Sequence, residues 1–281
     1  NLDKEHLDFY KNFEDLKKSF IKFLNKTPLI GKSFVCNDDN ELKKLLPKIN
    51  NKNFLTYGFS KKANFKILNP IYNKDFSIFD LKINVPGSKS KNIKKIKLNL
   101  IGKHNILNSV GAIALCLHIG IRINVIKRSL KKFTGIQRRL TKIFTIKGRE
   151  FFDDYAHHPT EIKSVLKSLK ATSTGRKVVS VFQPHRYSRL RSLKKDFASS
   201  FSNSDLVILC PVYPAGEKID KKYDPINFSK LISQQSKVQV IMAKDEKYLK
   251  NFFNKNLIHD EIVVCMGAGS ISKWIREMDL K

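Results

Sequence analysis

The chain has 281 residues, which is long enough for two domains of ordinary size that each bury a hydrophobic core. Its formal net charge of +29 suggests nucleic acid as a possible partner. The basic residues, however, are spread over nearly every predicted helix and loop, which is typical of solvated surfaces and disfavours a nucleic-acid-binding module. Four isolated cysteines indicate reduced thiols, so a cytoplasmic protein is expected. The longest apolar stretch, residues 109–121, is shorter than the roughly 20 residues that cross a bilayer, so no membrane span is expected.

The first half of the chain is predicted to combine helices with a pair of antiparallel strands. Residues 13–24 and 105–121 carry apolar side chains at helical spacing. Residues 76–85 and 93–100 alternate apolar and polar side chains with period two, and a turn-forming segment separates them. We therefore expect these two runs to pair as a hairpin.

The second half, from about residue 148, alternates short β-rich runs with segments of helical spacing. The runs are FFDD (151–154), KVVSVF (177–182), DLVILC (205–210), VQVIM (238–242) and EIVVCM (261–266). Strands that alternate with helices predict an α/β fold with a doubly wound, mostly parallel, Rossmann-like sheet. Among the connecting segments, 159–170 and 191–201 are each predicted to form one amphipathic helix.

A domain boundary is predicted near residues 133–140, where a helix ends at Gly135. We place a first domain at residues 1–136 and a second domain at residues 137–281. The first residue is asparagine rather than methionine, and no signal peptide precedes the first helical segment, so the chain is expected to begin within a longer protein.

Each predicted strand of the second half ends in polar, aromatic or glycine-rich residues that a hydrophobic core does not require. These exits are YAHHPTE (155–161), QPHRYSR (183–189), PVYPAGE (211–217) and GAGS (267–270). In an open parallel α/β sheet, ligands bind beyond the carboxyl ends of the strands. The four exits together therefore predict a binding cleft at this edge of the sheet.

The paired histidines of the first exit suggest an anionic ligand. His157 and His158 stand at the start of a predicted helix, where exposed backbone N–H groups favour a bound anion. Asp153 or Asp154 can orient an imidazole or receive an amine. The alternative, in which a histidine only caps the helix, is equally compatible with the sequence. A zinc site is disfavoured, because adjacent histidines at such a turn point apart and no third ligand has zinc-like spacing.

The second exit and the domain boundary add arginines. His185, Arg186 and Arg189 follow one strand, and guanidinium groups pair with carboxylates or phosphates, which indicates an acidic substrate. The alternative is the solvated first turn of a basic helix. Arg138 and Arg139 at the boundary could reach a nucleotide held in the neighbouring domain.

Two glycine-containing segments do not form nucleotide-binding motifs. GKSF, residues 31–34, is not a Walker A loop, because Lys26 stands where the first glycine of that motif is needed. GAGS lacks the third glycine of the dinucleotide fingerprint and follows the last strand, so it is interpreted as a tight turn first and a ligand contact second.

The exits DDYAHHPTEI, FQPHRYSR, YPAGE and GAGS, preceded by GKHNILNSVGAIA and GIQRRL, resemble in order and spacing the UDP-N-acetylmuramate:L-alanine ligases of the Mur ligase family. The resemblance runs from residue 1 to about residue 275. It implies the later part of a central ATP-binding domain with a mixed sheet, followed by the C-terminal ligase domain. It also implies that the UDP-binding domain and the phosphate loop precede this chain, so the isolated fragment is expected to be inactive.

The resemblance implies an ATP- and Mg²⁺-dependent enzyme that joins L-alanine to UDP-N-acetylmuramate through an acyl phosphate. Such a reaction serves peptidoglycan synthesis, and with it cell shape and division. Two alternatives stay open at this stage. One is a sibling Mur ligase that adds a peptide to the same sugar nucleotide, and the other is a basic nucleic-acid-binding module.

Residue roles carry over from the family by position. They are catalytic for His157, His158 and Arg186; substrate-binding for Asp154, Tyr155, His185 and Arg189; nucleotide-binding for His104, Asn105, Arg138 and Arg139; and magnesium-associated for His6. Two positions depart from the usual pattern, with Leu140 in place of a phenylalanine and Ala156 in place of a glycine. Neither departure removes a charge.

Overall fold

The computed structural model describes residues 2–5, 9–257 and 260–280. The chain divides into two compact units, Asn1–Thr134 and Gly135–Lys281. The division falls within the segment 133–140, just after a helix that ends at Lys132.

The first unit is built on a five-stranded mixed sheet. Its strands lie side by side in chain order: β1 (Ser33–Cys36), β2 (Phe54–Gly58), β3 (Phe65–Tyr72), β4 (Ser77–Ile83) and β5 (Lys91–Leu98). The first three strands pair in parallel, and β3, β4 and β5 pair antiparallel. The predicted hairpin of β4 and β5 is therefore confirmed.

The helices of the first unit are α1 (Phe13–Asn25), α2 (Asn40–Leu45), α3 (Lys103–His118) and α4 (Ile123–Lys132), with a 3₁₀ turn at Leu46–Lys48. The two predicted helices, α1 and α3, are confirmed, although α3 ends at His118 rather than at residue 121. The apolar face of α3, which includes Ile106, Val110 and Ile113, packs in one core with Phe79 and other buried residues of the sheet. Burial of this face fixes α3 against the sheet.

The second unit contains a six-stranded sheet in the order β10-β9-β8-β11-β7-β6. The strands are β6 (Thr141–Ile146), β7 (Arg149–Asp154), β8 (Val178–Phe182), β9 (Leu206–Leu209), β10 (Gln239–Met242) and β11 (Ile262–Met266). All neighbours pair in parallel except β6, which pairs antiparallel with β7. The doubly wound, mostly parallel sheet is confirmed, and β6 is an edge strand that the sequence did not predict.

The helices of the second unit are α5 (Pro159–Thr172), α6 (Tyr187–Ser192), α7 (Lys194–Ala198), α8 (Pro225–Ser236), α9 (Glu246–Asn256) and α10 (Ile271–Glu277). The single helix predicted over 191–201 is wrong, because the chain breaks at Leu193 (φ −119°, ψ 21°) into α6 and α7. Its apolar spacing was still informative, since Leu193, Phe197 and Phe201 are all buried.

All four cysteines are free. Cys36, Cys210 and Cys265 are buried, Cys116 is half-buried, and burial raises the pKa of the Cys210 thiol to about 12. The buried thiols are thus held in their unreactive, protonated form. Across the described residues, no helix is both long enough and apolar enough to cross a membrane.

An ion pair between a buried carboxylate and a partly exposed arginine ties the last helix of the second unit to its sheet. Asp153, at the end of β7, is fully buried, and its Oδ2 accepts hydrogen bonds from Arg276 Nε (3.0 Å), a terminal Arg276 nitrogen (2.8 Å) and Ser272 Oγ (2.7 Å). A buried carboxylate that loses its cation keeps the full penalty of removal from water.

Replacement of Arg276 by alanine should therefore lower the free energy of unfolding by about 2 kcal/mol, because Asp153 keeps only Ser272 as a partner. Lys273→Ala is the matched control on α10. Lys273 Nζ lies 3.9 Å from Glu277 Oε2 and both side chains are largely exposed, so this pair should contribute less than about 0.5 kcal/mol to the free energy of unfolding. Urea denaturation monitored by circular dichroism measures both. Equal midpoints for the two variants would contradict the assignment.

Candidate active site at the strand ends of the second unit

The exits of four parallel strands meet at one edge of the sheet. Gln183 N donates to Met266 O (3.0 Å), which joins the exits of β8 and β11, and Gly267 N donates to Asp154 O (3.2 Å), which joins β11 to β7. His185 and Tyr213 form an isolated parallel bridge that joins the exits of β8 and β9. The predicted convergence of these exits is confirmed.

Four aromatic side chains form a row across this edge. Tyr155 meets His157 edge to face at 5.0 Å between ring centroids, and His157 meets His185 in the same manner at 5.9 Å. His185 stacks on Tyr213 at 5.6 Å with an interplanar angle of 14°. The row brings together three residues predicted from sequence and adds Tyr213, whose only sequence signal was its position in the exit of β9.

His185 is a neutral imidazole among cations. Burial, followed by the charges of Arg189, His157 and Arg186, lowers the pKa of His185 to about 4. At neutral pH its Nδ1 can therefore accept the hydrogen bond from Arg189, whose terminal nitrogen lies 3.2 Å away and also 3.3 Å from the carbonyl oxygen of His185. This part of the edge presents a positive field suited to a carboxylate or phosphate.

The two adjacent histidines do different things. His158 is 5% exposed and caps α5, because its Nδ1 accepts from Thr160 N at 3.4 Å. His157 belongs to the aromatic row, and its Nδ1 donates to the carbonyl oxygen of Tyr155 at 2.9 Å. For His158, the alternative in which the histidine caps the helix is the one observed.

Two of the backbone N–H groups expected to bind an anion at the start of α5 already have side-chain acceptors. His157 N donates to Glu161 Oε2 at 3.0 Å, and Thr160 N donates to His158, so side chains of the same helix turn already use these donors. The Glu161 carboxylate also adds a negative charge where an anion was expected, and it pairs with Arg139 at 3.3 Å. The expectation rested on free helix N–H groups and missed the capping role of Glu161.

The Asp154 carboxylate binds backbone rather than an imidazole. Its oxygens accept from Leu140 N (2.6 Å) and Ala156 N (2.7 Å), and the residue is 3% exposed. Desolvation raises the pKa of Asp154 to about 6 although both backbone bonds lower it. Asp154 therefore joins the segment that precedes β6 to the loop that follows β7. The carboxylate oxygens of Asp154 do not orient an imidazole, and the expected contact of Asp154 with a substrate amine stays a prediction.

Arg138 is also used inside this unit. One of its terminal nitrogens donates to Gly267 O at 2.6 Å, its guanidinium carbon lies 4.6 Å from the centre of the Tyr155 ring, and its carbonyl oxygen accepts from Tyr155 N at 2.8 Å. Arg138 (φ 59°) and Leu140 (φ 50°) both have left-handed backbone conformations that non-glycine residues adopt at a cost. Arg139, by contrast, has a half-exposed side chain.

Gln183 holds the GAGS turn. It is 2% exposed, its Nε2 donates to Ser270 Oγ at 3.0 Å, and its Oε1 accepts from Ile271 N at 3.0 Å. A Cβ atom on Gly269 would lie 2.5 Å from Gln183 Oε1 and 2.5 Å from Tyr213 Cγ. The segment is thus a close-packed turn, and sequence analysis did not identify Gln183 because a single glutamine carries no signal of its own.

The remaining predicted residues belong to the first unit. His104 and Asn105 lie in the first turn of α3, where Asn105 Nδ2 donates to Ile101 O at 2.8 Å. His6 lies outside the described residues. Within residues 2–5, 9–257 and 260–280, no group of three or more His, Cys, Asp or Glu side chains is arranged to hold a metal ion.

Family comparison accounts for both units. Residues 1–116 match the Mur ligase middle domain, and residues 138–269 match the Mur ligase glutamate ligase domain. The chain therefore belongs to the Mur ligase family.

Individual members of the family that are similar to this chain have related names. The chain is 51% identical over 278 residues to the UDP-N-acetylmuramate--L-alanine ligase of Pelagibacter ubique, covering 99% of this chain and 60% of that protein. It is 37% identical over 280 residues to the ligase of the same name from Brucella anthropi, covering 98% of this chain and 58% of that protein. The crystal structure of UDP-N-acetylmuramate-alanine ligase from Thermotoga maritima aligns with a TM-score of 0.73 at 24% identity, covering 98% of this chain and 56% of that chain. This chain spans about three fifths of the length of these curated relatives.

The raised pKa of Asp154 predicts a pH-dependent stability difference. Because the folded state holds this proton up to about pH 6 and the unfolded state only to about pH 4, the free energy of unfolding should fall as pH rises through this window. Asp154→Asn removes this dependence, so the variant should gain about 2 kcal/mol relative to the parent between pH 4 and 6.5. Urea midpoints across this range measure it, and a constant difference would refute it.

Gly269→Ala should displace Tyr213 or Gln183 and lower the free energy of unfolding by about 1–3 kcal/mol, because the new methyl group overlaps both side chains. Gly31→Ala is the matched control, since the nearest atom to its Cβ is 3.4 Å away and the change should be within about 0.5 kcal/mol of the parent. Thermal unfolding compares them. An unchanged melting temperature for Gly269→Ala would argue against the close packing.

Proposed function

We propose that the protein containing this chain joins L-alanine to UDP-N-acetylmuramate, with cleavage of ATP to ADP and phosphate. The observation that carries the proposal is the meeting of His157, His185, Arg186 and Arg189 at one sheet edge, where neutral imidazole and guanidinium groups suit an anionic reactant. The names of the sequence relatives support the choice of amino acid and sugar nucleotide.

In the proposed reaction the γ-phosphoryl group of ATP is transferred to the lactyl carboxylate of UDP-N-acetylmuramate, and ADP leaves. The amine of L-alanine then attacks the carbonyl carbon of this acyl phosphate, and phosphate leaves as the amide forms. The carboxylate, the acyl phosphate and the departing phosphate on this route are all anionic, whereas the attacking amine is uncharged. Cationic side chains that are already fixed before the reaction would stabilise the developing charge.

The residues of the second unit divide into two groups in this proposal. Arg186 and Arg189 bind the carboxylate or acyl phosphate, and His157 with Tyr155 lines the position of the alanine amine. Arg138 and Asp154 instead hold the loops that carry these side chains, which their hydrogen bonds to Gly267, Leu140 and Ala156 support. His158 caps α5 through its Nδ1, and its catalytic role stays a proposal from the family pattern.

The nucleotide contacts remain proposals from the family pattern. Arg139, together with Arg138, would meet the nucleotide, and His104 with Asn105 would lie near the adenine. Mg²⁺, when bound, would neutralise phosphate charge, and it commonly takes one or two protein ligands with phosphate oxygens and water completing its shell. His6 is the proposed protein ligand. A cytoplasmic location and a role in cell-wall synthesis, cell shape and division follow from the same reaction.

The test uses the full-length protein, with phosphate release measured as a function of ATP, UDP-N-acetylmuramate and L-alanine. Arg186→Ala and His157→Ala should each lower kcat by about 10²-fold, because both side chains are proposed to touch the reacting groups. Arg191→Ala is the matched control, since Arg191 lies on the same helix with its side chain 71% exposed, and its activity should stay within about twofold of the parent. Melting temperatures check that all variants fold.

Three results would contradict the proposal. A parent that prefers a tripeptide to L-alanine would indicate the sibling ligase. A parent that only binds arbitrary duplex DNA, with a steep dependence on salt, would indicate the nucleic-acid-binding module. Parental kinetics in both the Arg186 and His157 variants would refute the site.

A further inference from the structure

The exit of β9 makes a tight turn that sends one acidic side chain toward α6. Ala215 (φ 51°) and Gly216 (φ 86°) both adopt left-handed backbone conformations, and Glu217 N donates to Pro214 O at 3.1 Å. A left-handed alanine costs roughly 1 kcal/mol. The turn therefore holds Ala215 in an unfavourable backbone conformation, and this conformation directs the Glu217 side chain toward α6.

The Glu217 carboxylate binds the start of α6. Its Oε2 accepts from Ser188 N at 3.1 Å, its Oε1 accepts from Ser188 Oγ, and the backbone N–H of Tyr187 also donates to it. Partial burial alone would raise the pKa of Glu217, but these hydrogen bonds and the charge of Arg186 hold it below its ordinary value. The Glu217 carboxylate is therefore ionised at neutral pH, and both of its oxygens are available to accept these three hydrogen bonds.

Arg186 is held between two parts of the same exit. Its backbone is left-handed (φ 69°), and its N–H donates to Tyr213 O at 2.9 Å. Glu217 takes the N–H groups of the next two residues, Tyr187 and Ser188. Tyr213 and Glu217 thus fix the backbone on both sides of Arg186. Strained backbone that its surroundings hold in place is concentrated at functional sites.

We propose that Glu217 is a positioning residue that fixes the backbone of Arg186, and thereby the direction of its guanidinium toward the anionic substrate. The inference rests on the proposed function, because it assigns to Glu217 an effect on a substrate that Arg186 binds. It goes further in naming a residue that need not touch any reactant.

A second acid, three residues beyond this exit, supplies a matched comparison. Asp220 pairs with Arg191 of α6 at 2.6 Å, with 71% of the Arg191 side chain exposed. Asp220 therefore joins the same loop to the same helix as Glu217 does, but it contacts neither the backbone at 186–188 nor an active-site arginine. A purely structural tether predicts similar behaviour for the two acids.

The experiment measures steady-state ligation by the full-length protein and its variants Glu217→Ala, Glu217→Gln, Ser188→Ala and Asp220→Asn. Glu217→Ala should lower kcat/KM for UDP-N-acetylmuramate by about 10- to 100-fold while KM for ATP stays within about twofold, because a misdirected guanidinium affects only the substrate it binds. Glu217→Gln keeps an acceptor for Ser188 N and a donor for Ser188 Oγ, so it should recover activity to within about threefold of the parent. Asp220→Asn should match the parent.

Melting temperatures of Glu217→Ala and Asp220→Asn should agree within about 2 °C, since both tethers are partly exposed. If Glu217→Ala unfolds early, Ser188→Ala decides instead, because it removes only the hydroxyl donor and should still lower kcat/KM for the sugar nucleotide by about threefold.

Different results separate the two proposals. A parent that ligates, with Glu217→Ala and Ser188→Ala both at parental kcat/KM, would overturn the role of Glu217 alone. Equal losses in Glu217→Gln and Glu217→Ala would also overturn it, since charge rather than position would then be required. A parent without ligase activity would overturn the proposed function and this inference with it.

Discussion

The arrangement of the second unit depends on the buried carboxylate of Asp154. By accepting from Leu140 N and Ala156 N, it joins the segment before β6 to the loop after β7, although removal of the charge from water is unfavourable enough to raise its pKa to about 6. Arg138 completes the junction through Gly267 O and the Tyr155 ring. A backbone with two left-handed residues, Arg138 and Leu140, needs such anchors to persist.

Hydrophobic patterns in the sequence predicted part of the fold, but not strands β1, β2 and β3. The alternation from residue 148 onward gave the parallel sheet, and period two gave the hairpin of β4 and β5. Strand β1 has only four residues and, unlike the equally short β9 and β10, does not stand in a regular series of apolar runs and helical segments. Strand β6 was missed because its turn, Lys147–Gly148, uses left-handed residues without the Asn-Gly or Asp-Gly sequence that usually marks a hairpin.

The convergence of the strand exits could be predicted, but the contacts made within the candidate site could not. Strand ends converge by topology, so His157, His185 and Arg186 could be expected at one edge. Which contacts a histidine makes depends on side-chain rotamers, and the Nδ1 atoms of the neighbours His157 and His158 have different partners. Gln183, Tyr213 and Glu217 act through contacts between exits that are distant in sequence, and no local pattern marks them.

The row of Tyr155, His157, His185 and Tyr213 has a thermodynamic consequence for ligand capture. Each of these side chains has only two main torsions, and contact with the neighbouring rings already restricts them. Long flexible side chains in the same place would lose rotamer freedom on meeting a ligand, at roughly 0.5–1.5 kcal/mol each. Rings that pack against one another have already lost most of their rotamer entropy during folding. More of the free energy of their contacts with a ligand therefore contributes to binding affinity.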